Sequence, residues 1–361
     1  MEEDEILVRV RCVGINPVDV KILDMSPVVG ATAGCEFAGD VAKIGPLVKN
    51  NRLKVGTPVF GCVLGNNVDR PSNGAFAEYV AATGDLVFVL PSHLSYQQGA
   101  TLGAALPTVG MALYHALRLP PPYFNKAGGA CETREAAAVT PVIMSPKPMQ
   151  GGRPSPEKSK VAPKYVLVYG GSTVCGAIAL QMIRKSGFVP VCTCSPRNFD
   201  MVKARGAQAV FDYQSPSCAD DIKRYTADSL AYALDCIADV GSMRICYAAM
   251  GHLGGRYMGL NPFPVRAHTR RDIQPDYILV YTMFGKAINL PRPFGRPARP
   301  RDLSFAEDWC HSVQAILDSP GQIYPHPVEE GMHNLYGVIN GLDRVRKGDM
   351  SGVKLVYNIS I

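Results

Sequence analysis

From Ile6 to about Leu90 the chain is a succession of short apolar bursts broken by Gly, Pro and Asn. The stretches "ILVRVRCVGI", "AGDVAKIG", "GTPVFGCVLG" and "GAFAEYVAA" each have strand length, and the residues between them are turn formers. Such a series predicts an open or partly closed β-barrel. The period then lengthens, and Tyr96–Leu119 reads as a helical stretch ended by three prolines that cannot continue it. Residues 123–164 keep no period at all. Rich in Pro, Gly, Ser and Lys, they are expected to form a flexible surface insertion that cannot bury enough apolar area to offset ordering.

From Tyr165 onward, strand and helix patterns alternate. "YVLVYGG" leads to "GAIALQMIRKSG", "FVPVCTCS" to "NFDMVKARG", and "AQAVFDY", "LAYALDCI" and "GRYMGL" follow. Alternation of this kind predicts a parallel sheet covered on both faces. A basic, proline-rich loop, "LPRPFGRPARPRD", precedes a helix around "FAEDWCHSVQAIL" and a last strand, "VKLVYNI". The expected class is α/β, with a barrel-like domain at residues 1–122 completed by 303–361 and a doubly wound domain at 165–302.

Composition narrows the function classes. A chain of 361 residues, 47% apolar and 19% charged, is that of an ordinary soluble protein with room for two cores. Its net charge of +6 is spread out rather than gathered on one element, so no nucleic-acid partner is expected. Eleven cysteines lie scattered inside runs such as "VPVCTCSP" and "MRICYAAM", which predicts buried free thiols and a reducing compartment. The acidic start, "MEEDEILVRV", lacks the apolar core of a signal peptide. The longest apolar segment is interrupted by Pro107 and His115, so no membrane span is expected and the cytoplasm is the anticipated location.

The chemistry begins at "YGGSTVCG". Gly170 and Gly176 sit where a strand-to-helix turn needs backbone freedom and close packing, which places orphan N–H groups at a helix start to face a pyrophosphate. Thr173 replaces the middle glycine of the usual dinucleotide fingerprint, and the hydroxyls of Ser172 and Thr173 are candidates to contact phosphate themselves. The end of the second parallel strand selects the cofactor. An NAD site places a carboxylate there, whereas this chain has Ser195 and Arg197, groups suited to a 2′-phosphate, so NADPH is expected. Cys35, Glu36 and Cys12 raise the question of zinc, but no CxxC pair or Cys/His cluster accompanies them and no metal is expected.

Taken together, several strings resemble the fungal trans-acting enoyl reductases that serve iterative polyketide synthases and polyketide–peptide hybrid synthases, within the zinc-free medium-chain dehydrogenase/reductase superfamily. They are "GINPVDVK", "GCEFAGDVAKIG", "NGAFAEYV", "VLVYGGSTVCG", "TCSPRNFD", "VFDYQSP", "YALDCI", "GGRYMGLNPFP" and "GDMSGVKLVY". The resemblance implies a GroES-like catalytic domain beside a Rossmann NADP-binding domain. It implies NADPH-dependent reduction of an α,β-unsaturated thioester held on an acyl carrier protein of the synthase. Implied cofactor contacts are Val18, Asp19, Val20 and Lys21; Ser172, Thr173, Val174 and Cys175; Ser195, Pro196, Arg197 and Asn198; Tyr213; Leu260 and Asn261; and Met350 and Ser351. A substrate channel is implied along Thr108, Val109, Gly110, Met111, Ala112, Leu113, Tyr114 and His115, and along Val280, Tyr281, Thr282, Met283 and Phe284.

In that setting Lys21 and Thr108 are the candidate catalytic residues. Lys21 would hold the cofactor and bring a proton or positive charge, and Thr108 would orient the acyl chain or thioester. Each has a plainer alternative, a surface lysine and a helix-capping threonine. Tyr213 fits stacking near adenine, and His115 and His252 are read as structural. The polyketide acyl chain is the expected substrate and the chain is expected to be a monomer, since its proline-rich stretch at 289–302 obstructs a family-style dimer. Two features depart from the family pattern: strands that precede the Ile6 segment are missing, which predicts an exposed sheet edge, and the 123–164 insertion is long. A quinone or alkenone reductase acting without a carrier, and a non-catalytic NADP-binding protein, remain the alternative readings.

Overall fold

In the computed structural model, which describes residues 1–122 and 164–359, the first apolar burst forms β1 (Glu5–Gly14). Ile6, Val8 and Val10 enter one core and are fully buried. The register against the next strand slips between Val10 and Cys12, and this bulge turns Cys12 into a different core while Val13 stays with the first. The insertion expected at 123–164 falls almost wholly outside the described residues.

A helix that the apolar pattern did not reveal follows at once, α1 (Pro17–Met25). Its signals are local: Pro17 opens the first turn, and the Asp19 carboxylate accepts the backbone N–H of Asn16 at 2.7 Å. The chain then adds β2 (Glu36–Ile44), β3 (Pro58–Cys62), β4 (Tyr79–Thr83) and β5 (Phe88–Val89). The helix expected over Tyr96–Leu119 is broken into α2 (Tyr96–Gly99), α3 (Ala105–Gly110) and a π-helical turn, Met111–Ala116. Pro107 lies in the first turn of α3, where its missing N–H has no intrahelical partner to lose.

The second half alternates β6 (Tyr165–Tyr169), α4 (Val174–Lys185), β7 (Val189–Thr193), α5 (Phe199–Ala204), β8 (Ala209–Phe211), α6 (Cys218–Tyr225), β9 (Tyr232–Asp235), α7 (Val240–Ala249), β10 (Gly255–Gly259) and β11 (Ile273–Tyr277). It closes with α8 (Pro300–Leu317), β12 (Val328–Gly331), α9 (Asn334–Arg346) and β13 (Lys354–Asn358). Among the described residues, no helix is long and apolar enough to cross a membrane.

Two sheets organise these elements. The first runs β12–β13–β1–β2–β3–β5, with β4 also on β1. The open edge expected at the Ile6 segment is not found there: β2 covers one side of β1, while β4 and β13 share the other. The second sheet runs β11–β10–β9–β6–β7–β8 with every neighbouring pair parallel. This is a doubly wound α/β sheet, and its strand order reverses between β6 and β9, where such sheets open a crevice at their carboxyl ends.

Side chains of β6 alternate between two cores, Val166 and Val168 on one face and Leu167 and Tyr169 on the other. The first of these cores does not stop at the sheet. It continues through Ile178 and Leu180 of α4, Leu106 and Val109 of α3 and Trp309 of α8 to Phe60 and Phe88 of the first sheet. Trp309 also donates its indole N–H to the Leu106 carbonyl at 2.9 Å. A Cβ placed on Gly110 would lie 2.2 Å from that indole nitrogen. Gly110→Ala is therefore expected to lower stability by about 1–3 kcal/mol through overpacking, although Ala favours helix. A urea melt showing unchanged stability would mean that Trp309 has room to retreat.

Candidate active site

The turn after β6 lies at the strand-order reversal. Gly170 has φ +81°, a left-handed conformation that favours glycine, and a Cβ on Gly176 would sit 2.3 Å from the Gly170 carbonyl oxygen. These two positions keep α4 close to the strand end. Thr173 is the N-cap of α4, and its Oγ1 accepts the Gly176 N–H at 3.0 Å. The residue standing in for the middle glycine thus fixes the helix start, its oxygen serving as the acceptor; Ser172 is half-buried beside it. Cys175 follows in the first turn of α4, half-buried, with desolvation pushing its thiol up to about 12.

At the lip of β7 the chain gathers polar groups from three places. Ser195 Oγ lies 3.4 Å from the Tyr213 hydroxyl, and Arg197 Nε and Asn198 Nδ2 both donate to Ser351 Oγ, at 3.1 and 3.0 Å. The Met350–Gly352 loop comes so close that a Cβ on Gly352 would meet Asn198 Oδ1 at 2.5 Å. Pro196 and Arg197 are exposed, and Tyr169 and Tyr213 place their rings 6.1 Å apart behind them. No carboxylate enters these contacts. Among the described residues the Arg197 guanidinium bonds through its Nε alone, which leaves its outer N–H groups for an anionic partner.

Across the cleft, Lys21 leaves α1 and donates to Asn261 Oδ1 at 3.1 Å, joining α1 to the segment after β10, where Leu260 packs against the core. Partial burial lowers the pKa of its ammonium. Val18 packs with Tyr281, Val280 and Phe284 in a small apolar cluster. Asp19 and Val20, two of the expected cofactor contacts, are buried at the base of α1. Asp19 caps Asn16, and burial lifts its carboxyl to about 6 against the opposing pull of the Asn16 N–H.

Beneath α1 lies a polar network that no periodic pattern announces. Lys354 of β13 and Glu36 of β2 are 3% and 0% exposed and pair at 2.6 Å. Lys354 Nζ also donates to Asn16 Oδ1 at 2.5 Å, while Asn16 Nδ2 donates to Glu36 at 2.9 Å. Glu36 accepts the Ala104 N–H at 2.7 Å, one turn before Thr108. The sequence signal was a lysine inside an otherwise apolar strand, which burial alone would forbid.

The residues expected along the substrate channel do not form one lining. A helix cannot turn every residue to one face, and Val109, Gly110, Ala112 and Leu113 pack in the core, with Met111 3% exposed. Tyr114 faces α4, its hydroxyl 2.9 Å from Ser186 Oγ. Thr108 and His115 remain half-exposed. The Thr108 hydroxyl donates back to the Ala104 carbonyl at 2.7 Å rather than capping a helix, and keeps its oxygen lone pairs. His115 lies 3.0 Å from Asp302 and against the Phe305 ring. In the second segment Tyr281, Thr282 and Met283 are buried, so only Val280 and Phe284 retain partial exposure.

The residues present fit a dinucleotide: a glycine cradle that a Cβ would fill, a helix N-terminus above it, and a basic lip at the second strand whose side-chain hydrogen bonds among the described residues involve no carboxylate. Among the described residues, no group of three or more His, Cys, Asp or Glu side chains is gathered as metal ligands would be.

The alcohol dehydrogenase GroES-like domain family matches residues 2–92. A trans-enoyl reductase of Penicillium oxalicum is 44% identical over 357 residues, covering 99% of this chain and 90% of its own. Another, from Emericella nidulans, is 40% identical over 360 residues, covering 100% and 91%. Among solved structures, the CurK enoyl reductase superposes with a TM-score of 0.68 at 15% identity, covering 99% of this chain and 92% of that one. A putative zinc-dependent alcohol dehydrogenase from Rhizobium etli reaches 0.72 at 21% identity, covering 99% and 90%, which is a likeness of fold.

Two stability measurements follow from the buried network. Lys354→Met leaves Glu36 buried without its partner and is expected to cost about 3–5 kcal/mol, part of which Glu36→Gln in the same chain restores; equal stability of the single variant and wild type in urea would contradict this. For Asp19, a folded pKa above the unfolded one means that the native state holds the proton more tightly. Its contribution is therefore present at low pH and falls as pH rises from about 4 to 6. Asp19→Asn removes that slope, so the variant should gain roughly 2–3 kcal/mol on wild type between about pH 4 and 7, read from urea melts.

Proposed function

The chain belongs to the fungal trans-enoyl reductases, and on that premise we propose that it works in trans, reducing an enoyl thioester carried by a polyketide synthase or a hybrid polyketide–peptide synthase. It is an oxidoreductase of carbon–carbon double bonds that uses a nicotinamide cofactor. NADPH is the form we assign. The single observation supporting it is the lip of β7, where Ser195, Arg197, Asn198, Tyr213 and Ser351 come together with no carboxylate to bind a ribose 2′-hydroxyl.

Bound NADPH supplies the hydride for the β-carbon of the enoyl group. The protein's own groups do the rest. The α4 N-terminus and the Gly170–Gly176 turn hold the pyrophosphate. Lys21, kept in place by Asn261, sets positive charge against the thioester oxygen as negative charge develops there, and is the source we assign for the α-carbon proton. Thr108 offers its oxygen to orient the substrate, and Val280 and Phe284 give the acyl chain an apolar wall. In this reading residues 1–122 with 303–361 form the catalytic domain and 165–302 the cofactor domain. The partner is an acyl carrier protein, and the chain acts as a cytoplasmic monomer.

Purified protein should oxidise NADPH with an enoyl group linked to pantetheine or a carrier protein. Folded protein that turns over small free quinones but no enoyl thioester would instead be a quinone reductase, and one that binds NADPH without any turnover would be a binding protein. Arg197→Ala should weaken NADPH binding by about tenfold to a hundredfold and leave NADH binding unchanged, by fluorescence titration; equal loss for both coenzymes would remove the 2′-phosphate assignment. Lys21→Met should lower kcat/KM by about 10²-fold or more with NADPH affinity less affected, and Lys21→Arg should retain part of the rate.

A further inference from the structure

A second cleft, of about 600 Å³, shares no residue with the cofactor lip or the Lys21 mouth. Ser95, Gln97 and Gln98 form one wall, Arg205 at the end of α5 another, and the Pro325–Val328 segment leading into β12 a third. His326 lines it and is 2% exposed. Among the described residues neither ring nitrogen of His326 has a hydrogen-bond partner, and neither does Arg205 Nε. Buried polar atoms are satisfied in nearly every native structure. Three orphaned nitrogens at one cleft therefore describe a missing partner.

The surrounding charge says what that partner is. Arg205 bonds the Pro325 carbonyl through Nη2 at 2.9 Å and lies over the Tyr324 ring, but pairs with no carboxylate among the described residues. Glu330, the acid in the wall, is engaged by Asn358 Nδ2 at 2.8 Å. Burial and the nearby Lys354 and Arg205 charges push the His326 pKa down to about 3, so the ring is neutral. A cation would meet the unpaired guanidinium. An oxyanion would accept from Arg205 and from the imidazole, and would offset the charges that keep the second proton off the ring.

We propose that this cleft binds a phosphate group, free or at the end of a small organic molecule, between Arg205 and His326. A guanidinium and an imidazole N–H both donate to oxygen, and a phosphate offers them more acceptor oxygens and more charge than a carboxylate does. Gln98, whose Oε1 accepts the Ser95 N–H, lines the same space, and the volume exceeds what a phosphate alone fills. Access requires Arg205 to change rotamer, a fast motion for a half-exposed side chain.

The test is a titration of the full chain, saturated with NADPH to occupy the cofactor lip, with inorganic phosphate and separately with 4′-phosphopantetheine. Binding should shift the His326 ring signals in NMR and raise that histidine's pKa. Arg205→Met and His326→Asn should each weaken phosphate at least about tenfold while NADPH affinity stays unchanged. Tighter binding of 4′-phosphopantetheine than of phosphate assigns the organic source, and equal binding assigns the free ion. Unmoved His326 signals at millimolar phosphate, or the same affinity in Arg205→Met, would overturn the proposal and leave the cleft to water. The wild-type NMR titration decides even where a variant fails to fold, and turnover of enoyl thioesters is not part of the readout.

Discussion

Glu36 and Lys354 lie some three hundred residues apart in sequence and are both withdrawn from water, so neither is tolerable without the other. Their contact joins β2 to β13, and Asn16 between them adds the end of β1 and the start of α1. Glu36 also holds the Ala104 N–H at the entry to α3. Four stretches of chain are thereby fixed around one point, and both candidate catalytic residues stand within a turn or two of it: Lys21 on α1 and Thr108 on α3. Buried ion pairs seldom stabilise more than apolar packing would. Here the pair specifies geometry, because Glu36 and Lys354 between them hold the Asn16 side chain and the Ala104 N–H.

The cofactor side is built by a different economy of parts. Thr173 uses its hydroxyl to cap α4, which makes the helix start rigid without the middle glycine of the usual turn. The lip of β7 is completed from far along the chain by Ser351, which accepts from both Arg197 and Asn198. Because that loop leads directly into β13, the strand carrying Lys354, the Arg197 lip and the Lys21 end of the cleft are tied to one segment. The apolar core running from Phe60 through α3 and α8 to α4 binds the two sheets together along their length. The cleft between them is therefore a feature of one packed body.

Local chemistry wrote much of this into the sequence. Short apolar runs bounded by Gly, Pro and Asn marked β1 to β4, and alternating strand and helix signals marked the parallel sheet, because those patterns record which segments are buried. Gly170, Gly176 and the Ser195–Arg197 pair were legible for the same reason: each answers a requirement set within a few residues, a left-handed φ, a close approach or a strand end. The helix α1 was missed because its apolar stripe is too short to show as a period, although Asn16, Pro17 and Asp19 carry its local start signals.

Contacts between distant segments were not legible. Nothing near Lys354 names Glu36, nothing near Asn198 names Ser351, and the burial of Asp19 depends on what packs over α1. The run from Thr108 to His115 reads as one apolar block, yet the helix turns most of it into the core and leaves only Thr108 and His115 toward solvent. The sequence by itself determined which elements form and which local turns they require. Only the tertiary structure decided which polar groups meet in the dry interior, because the penalty for an unpaired buried charge is settled by partners the chain supplies from elsewhere.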